Sequence, residues 1–438
     1  MIEKHNVHMD EARNRCVLVG LSAYSLPRED NATETSLEEL AALVETAGGE
    51  SVGMVLQNRD TPEARTFIGE GKVAEVRELV QAQGADMVVF DNELSPSQQR
   101  VLTEDIGVQV IDRAGLILDI FAQRARTREG RLQVELAQYK YLLPRLTGMW
   151  GHLVRQTASG GKSPIGTRGP GETQLETDRR HIRRKIAKLS EDLEEVRRVR
   201  AVQRDRREKN EVPVVAIVGY TNAGKSTLLN ALTDADIPAR NRLFDTLDTT
   251  TRTLEISDTC TVLISDTVGF IRKLPHHLVE AFKATLEELS YADLILHVID
   301  ASNPEWRDQA VVVEKLIAQL GAEATPRIDV FNKSDVYVGD IRPHGEDIVS
   351  ISAKTKEGLD HLLAMIGKRL DTGFYRVTLA LPYDKGGILE MLYRDAKVES
   401  VEYDAAIQVV AVCSEKTVGQ VKDYVMEGWT QPKEFWEE

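Results

Sequence analysis

The chain has 438 residues, 42% hydrophobic and 29% charged, and a formal net charge of −15. That length predicts two to four domains, and that balance excludes a disordered or fibrous chain. No apolar run approaches the ~20 residues that cross a bilayer, and the N-terminal residues lack the apolar core of a signal peptide. The three cysteines (Cys16, Cys260, Cys413) have neither metal-ligand nor disulfide-framework spacing, so a cytoplasmic protein without a membrane span is expected.

From Cys16 to about Ala125, short apolar runs alternate with helical periodicity. Cys16–Leu21, Val52–Gln57, Met87–Phe90 and Val108–Ile111 read as buried strands. Ser36–Ala47, Lys72–Gln83, Pro96–Asp105 and Ala114–Ala125 read as the helices between them. This alternation predicts a parallel sheet with helices on its faces, an N-terminal α/β domain over 1–125.

Residues 126–211 read as a long helical hairpin. Arg131–Leu143 carries an apolar stripe of Leu132, Leu136, Tyr139 and Leu143. Gln174–Lys209 carries a matching one: Leu175, Ile182, Ile186, Leu189, Leu193, Val196 and Val199. The glycine-rich stretch Thr147–Thr173 joins the two. Arg124 to Lys209 holds 22 Lys/Arg against 11 Asp/Glu, so this segment is +11 and the rest of the chain −26. Arg183, Arg184, Lys185, Arg197, Arg198 and Arg200 decorate the second helix; from charge alone they are a solvated face.

Residues 212–371 read as a second α/β domain, with a mostly parallel sheet and a phosphate-binding loop. The β-branched run Val214–Val218 leads into Gly219-Tyr220-Thr221-Asn222-Ala223-Gly224-Lys225-Ser226 and then the helical Thr227–Leu232. This is a Walker A loop in its strand–loop–helix setting. Its glycines let successive N–H groups face phosphate oxygens, and the helix adds its positive end. Lys225 is placed to bridge the β- and γ-phosphates and Ser226 to give its hydroxyl oxygen to Mg²⁺. Asn222 is either an ordinary loop residue or a ligand for a monovalent cation such as K⁺ beside the phosphates.

The base is chosen further along. Ile328–Phe331 leads into Asn332-Lys333-Ser334-Asp335. Asp335 can accept two hydrogen bonds from guanine N1–H and its exocyclic amine, a pair that adenine does not offer. Adenine would leave that carboxylate buried and unpaired. Asn332 can reach the other edge and the stem of Lys333 can cover the ring. Ser350-Ile351-Ser352-Ala353-Lys354, after another apolar strand, completes a guanine site through Ser352 and the backbone of Ala353 and Lys354. GTP and GDP are the expected ligands.

Between these, the strand Thr261–Ser265 ends in Asp266-Thr267-Val268-Gly269. Asp266 is placed to hold a Mg²⁺-bound water and the Gly269 N–H to sense the γ-phosphate, with Phe270–Leu278 a mobile switch. A second switch supplies a hydroxyl to Mg²⁺, and Thr246, Thr249, Thr250 and Thr251 are equal candidates on residue chemistry alone. Phe270 stands where many small GTPases place the Gln that orients attacking water, which a phenyl ring cannot do. Hydrolysis is therefore slow, or another group orients the water after a partner docks.

Residues 372–438 read as a small α+β module. It has strands at Val377–Leu381, Val398–Tyr403 and Ile407–Val412, and helices near Lys385–Arg394 and at Lys416–Met426.

The chain resembles the HflX family of translational GTPases across nearly its whole length. The resemblance rests on Val110-Ile111-Asp112-Arg113-Ala114-Gly115-Leu116-Ile117-Leu118-Asp119-Ile120-Phe121, continuing as Ala122-Gln123-Arg124-Ala125-Arg126-Thr127-Arg128-Glu129-Gly130. It rests also on Tyr141-Leu142-Leu143-Pro144-Arg145-Leu146 and on Gly166-Thr167-Arg168-Gly169-Pro170-Gly171-Glu172-Thr173-Gln174-Leu175-Glu176. The family's first switch is Phe-Ala-Thr-Leu-Asp, here Phe244-Asp245-Thr246-Leu247-Asp248, and the resemblance thereby selects Thr246 as the second Mg²⁺ ligand. Asp245 replaces the family's Ala, Asp248-Thr249-Thr250 stands where Asp-Pro-Thr is usual, and Lys162-Ser163-Pro164 is an insertion. The resemblance implies a monomeric GTP hydrolase with a low basal rate. It also implies binding to the large ribosomal subunit and its rRNA, stimulation by it, and splitting or rescue of stalled ribosomes under stress. The basic hairpin would then be an rRNA contact. ATP binding at the N-terminal domain has been credited to the family, and Gly69-Glu70-Gly71-Lys72 is the motif there, which as a bare motif is a turn and helix start. The rivals are a GTP-dependent RNA-remodelling enzyme and a signalling switch with a protein partner.

Overall fold

The computed structural model describes residues 14–146, 170–208, 212–233, 243–244, 250–257, 260–274, 287–337, 343–370, 374–403 and 406–426. They fall into two compact units. The first is Met1–Val202 with Arg240–Asp248 and Ile271–Thr285; the second is Gln203–Ala239 with Thr249–Phe270 and Leu286–Glu438.

In the first unit the chain runs β1 (Arg15–Ala23), α1 (Glu34–Thr46), β2 (Glu50–Arg59), α2 (Glu70–Gln83), β3 (Met87–Phe90), α3 (Pro96–Ile106), β4 (Gln109–Asp112) and α4 (Arg113–Arg124). The strands form an all-parallel sheet in the order β2-β1-β3-β4. β1 is buried along nearly its whole length because helices cover both faces of a parallel sheet. Helix starts follow side-chain chemistry. Thr33 and Ser36 form a capping box, as do Ser95 and Gln98, and the Asp112 carboxylate accepts from the Gly115 N–H at the head of α4. Val17, Val19, Leu21, Val76, Val88 and Phe90 are among the residues of the core.

Two charged helices follow, α5 (Arg128–Leu142) and α6 (Pro170–Glu208). Leu136 packs with Leu189 and Leu193, flanked by Leu132, Tyr139 and Ile186, so the two stripes meet as a hairpin. The match is shorter than the sequence predicts. Val199 is 51% exposed, because the first helix ends before it can cover that turn of the second. The glycine-rich joint and its Lys162-Ser163-Pro164 insertion lie outside the described residues.

The second unit holds a six-stranded sheet in the order β10-β9-β8-β5-β7-β6. Its strands are β5 (Val214–Gly219), β6 (Thr250–Glu255), β7 (Thr261–Asp266), β8 (Leu294–Asp300), β9 (Arg327–Asn332) and β10 (Ile348–Ser350), all parallel except β6. The central β5 continues into the phosphate loop and then α7 (Lys225–Thr233). The chain adds β7 on one side of β5 and β8 on the other, and such a reversal opens a ligand crevice at the strands' carboxyl ends. Val215, Ile217, Leu228, Leu296, Val298 and Val330 lie in its core.

A three-stranded antiparallel sheet, β11 (Phe374–Leu381), β13 (Ile407–Ser414) and β12 (Lys397–Tyr403), completes this unit with two short helices, Gly386–Asp395 and Glu415–Val421. The final helix is shorter than Lys416–Met426. After one 3-10 turn at Lys422–Tyr424 the chain extends, and Val425 bridges to Leu379. Among the described residues no helix is long and apolar enough to cross a membrane, and Cys16, Cys260 and Cys413 are free and buried.

Truncating a side chain inside the hairpin seam should open it locally. Leu193→Ala is expected to cost about 2–4 kcal/mol of local stability and to raise amide exchange along Arg128–Leu142. Val199→Ala, on the uncovered turn, should leave that exchange pattern unchanged.

Candidate nucleotide site

The site is built from the carboxyl ends of β5, β7, β9 and β10, each contributing the loop that follows it. After β5, Tyr220, Thr221, Ala223 and Lys225 are buried while Asn222 is exposed, with a left-handed φ of 63°. Gly224 has φ +96°, and a Cβ there would lie 2.2 Å from Asn332 Nδ2, so any other residue would be both strained and in collision. The Lys225 ammonium donates to the Tyr220 carbonyl at 2.9 Å. Burial lowers its pKa to about 8, against the opposing pull of Asp266.

Ser226 Oγ donates to Asp266 Oδ2 at 2.6 Å, joining the head of α7 to the end of β7. A hydroxyl and a carboxylate are the hard oxygen donors that Mg²⁺ takes, so these residues fit the ion. Thr267 Oγ1 is spent on the Ile217 carbonyl at 2.7 Å, which fixes the turn after Asp266, and Val268 is buried. The Thr221 hydroxyl is buried with no hydrogen-bond partner among the described residues, a polar group that a ligand oxygen would satisfy. Gly269 comes close to the phosphate loop: a Cβ on it would lie 2.9 Å from Thr221 Cγ2 and 3.0 Å from Lys225 Nζ.

Phe270, the first residue of the segment expected to be a switch, is held at its backbone. Its N–H donates to the Gly219 carbonyl at 3.1 Å, its carbonyl accepts from the Thr221 N–H at 2.7 Å, and its ring is 1% exposed. Backbone pairing with the phosphate loop and burial of an aromatic ring together anchor the residue.

On the base side, Asn332 Nδ2 donates to the Ala223 carbonyl at 2.8 Å and Oδ1 accepts from the Ala353 N–H at 3.0 Å. One amide thus ties three loops together, with a single N–H left over. Ser352 Oγ donates to Asp335 Oδ1 at 2.8 Å and accepts from the Thr355 N–H at 3.2 Å, which orients the carboxylate. The buried Ser334 donates its N–H to the Ile351 carbonyl at 3.0 Å, and Lys354 is exposed. Lys333 is left-handed with φ 63°, and its ammonium sits 2.6 Å from Asp300 Oδ2. Sequence reasoning missed Asp300. The signal available was an acidic residue closing the apolar strand Leu294–Ile299, next to the strand that ends in Asn332.

The structure thus brings Gly219–Ser226, Asp266–Gly269, Asn332–Asp335 and Ser352–Lys354 to one edge of one sheet. Phe244 is described and buried, in the first unit. Asp245, Thr246, Leu247 and Asp248 lie outside the described residues, as do 275–278 of the second switch.

Comparison with known proteins agrees over most of the chain. Family models match in order: GTP-binding GTPase N-terminal over residues 34–122 and GTP-binding GTPase Middle Region over 124–207. A 50S ribosome-binding GTPase model matches 214–333, and the HflX C-terminal domain 342–434. The GTPase HflX of Caldanaerobacter subterraneus subsp. tengcongensis is 50% identical over 393 residues, 90% of this chain and 89% of that protein. That of Alkalihalophilus pseudofirmus is 46% identical, covering 90% and 92%. That of Escherichia coli is 44% identical, covering 85% and 88%.

The depressed pKa of Lys225 has a sign that can be measured. With its pKa lowered to about 8 by burial, the Lys225 amine would take up a proton on meeting a phosphate above that pH. Calorimetry at pH 8.5 in buffers of different ionisation enthalpy should show uptake of a large fraction of a proton on GDP binding. At pH 6.5 this uptake should vanish. Lys225→Met should remove the difference.

Proposed function

The chain belongs to the HflX family of GTPases and hydrolyses GTP, and from that premise we propose that it does so on the large ribosomal subunit, whose rRNA it grips through its basic hairpin. The supporting observation is charge placement on α6. Between Arg179 and Ser190 the helix carries Arg179, Arg180, Arg183, Arg184, Lys185 and Lys188 with no acidic residue, and most of these cations are exposed. A band of one sign on a rigid rod fits a phosphate backbone better than a mixed solvated face does. Splitting or rescue of stalled ribosomes under stress is the biological outcome we infer for that engagement, in the cytoplasm.

In this reading the N–H groups from Gly219 to Ser226 cradle the phosphates, with Lys225 across the β- and γ-oxygens. Ser226 and Thr246 would hold Mg²⁺ and Asp266 would orient its water; the ion would supply positive charge that neutralises the phosphates. Asp335 reads guanine N1–H and the exocyclic amine. Lys333, held by Asp300, lays its stem over the ring, and Ser352, Ala353 and Lys354 close the far edge. The Gly269 N–H faces the γ-phosphate. Phe270, buried and pinned, leaves attacking water unoriented, so basal turnover is slow and the docked subunit supplies what is missing. The exposed Asn222 offers its amide oxygen to K⁺ beside the phosphates, where positive charge would stabilise the transition state.

The test is GTP turnover by the purified chain, alone and with large ribosomal subunits, at low and moderate salt. Slow basal turnover raised about tenfold or more by the subunit, with the gain shrinking as salt rises, is the expected result. Turnover indifferent to the subunit at both salts would sink the ribosomal reading and favour a protein-partnered switch.

A further inference from the structure

One side chain of the phosphate loop has no task among the described groups of the protein. Thr221 is 6% exposed, and its hydroxyl is buried without a hydrogen-bond partner among the described residues. The rest of the residue seats the chain that follows Asp266. Its N–H donates to the Phe270 carbonyl at 2.7 Å, and the Phe270 N–H donates in turn to the Gly219 carbonyl at 3.1 Å. Its methyl group faces Gly269, where a Cβ would lie 2.9 Å from Thr221 Cγ2. Thr221, Lys225, Gly269 and Phe270 all belong to the second unit. A buried hydroxyl that bonds to nothing destabilises the free protein, because water satisfied it before folding. Valine has the same branched shape without that cost, and the contact with Gly269 needs only the shape. Packing therefore does not explain the hydroxyl.

Lys225 marks where the missing partner enters. Its ammonium donates to the Tyr220 carbonyl and lies 3.0 Å from the same Cβ position on Gly269. The side chain is folded into its own loop, where burial lowers its pKa. The ammonium and the Thr221 methyl group thus meet at one point beside Gly269. When the ammonium moves out to phosphate oxygens, the ground beside Thr221 opens to one of those oxygens. Rotation about a single bond exchanges the threonine methyl and hydroxyl, so the hydroxyl can turn toward it.

We propose that the Thr221 hydroxyl is a γ-phosphate ligand: it donates to a γ-oxygen of GTP, stays without a partner when GDP is bound, and so raises the loop's preference for GTP. The proposal rests on GTP binding by this chain, with the Gly269 N–H facing the γ-phosphate. That orientation puts the side chain packed on Gly269 at the γ end of the phosphates. The backbone N–H groups of the loop serve either nucleotide. The hydroxyl adds a donor that only the longer one reaches, and a bond from a neutral hydroxyl to a charged phosphate oxygen is among the stronger kinds.

The experiment is a calorimetric titration of the full chain with GDP and with a non-hydrolysable GTP analogue, both with Mg²⁺, for wild type, Thr221→Val and Thr221→Ser. Thermal melting of the three nucleotide-free proteins accompanies it. Thr221→Val should weaken the GTP analogue about tenfold and leave GDP within about twofold. Thr221→Ser keeps the hydroxyl and should hold the ratio of the two affinities within about twofold of the wild-type ratio. Without nucleotide, Thr221→Val should melt at or above the wild-type temperature, because it loses an unpartnered group. An unchanged ratio in Thr221→Val, a ratio shifted toward the GTP analogue, equal loss of both nucleotides, or a Thr221→Ser ratio as altered as that of Thr221→Val would overturn the proposal. A clear fall in the melting temperature of Thr221→Val would overturn it too, since the hydroxyl would then have a partner in the free chain. Wild type that bound neither nucleotide would overturn the GTP-binding premise, and the proposal with it.

Discussion

The side chain of Asn332 holds the Ala223 carbonyl at 2.8 Å and the Ala353 N–H at 3.0 Å, and it packs so close to Gly224 that no Cβ fits between them. Phosphate loop and guanine loops therefore share one planar amide, which costs little entropy to hold because it sits at the end of the buried strand β9. The surrounding choices follow from it. Gly224 must be glycine, Ala353 must present its N–H, and Asp335 is aimed by Ser352 from the same loop. In the function proposed above, phosphate affinity and base selection would be features of one network rather than of two independent sites.

Both parallel sheets place their chemistry at the carboxyl ends of strands flanking a reversal in strand order. In the second unit that edge carries the nucleotide machinery. In the first unit the equivalent crevice carries Asp91, occupied by a lysine of the chain itself.

Much of this was legible in the sequence, for reasons that differ by element. Met87–Phe90 was readable to the residue because a short β-branched run between polar turns has few alternatives, and Pro96 marked the first turn of α3. The nucleotide loops were readable because phosphate and guanine demand particular residues at particular spacings. Partners distant in sequence were not readable. Asp300 lies 33 residues from Lys333 and Asp91 lies 182 from Lys273, and no local pattern marks either pair. The apolar stripe overstated the hairpin at Val199, since periodicity gives the face of a helix but not where its partner stops. Phe270 was read for what its side chain cannot do, while its anchoring role lies in backbone bonds that any residue could make.

The most direct test of the shared-amide account is hydrogen exchange on the nucleotide-free chain with Asn332→Ala. The account predicts that protection falls together in Gly219–Ser226 and in Ser352–Lys354, while β8 and its neighbours in the sheet core stay protected. Loss of protection confined to Ser352–Lys354, with the phosphate loop unchanged, would contradict it and leave the two halves of the site independent.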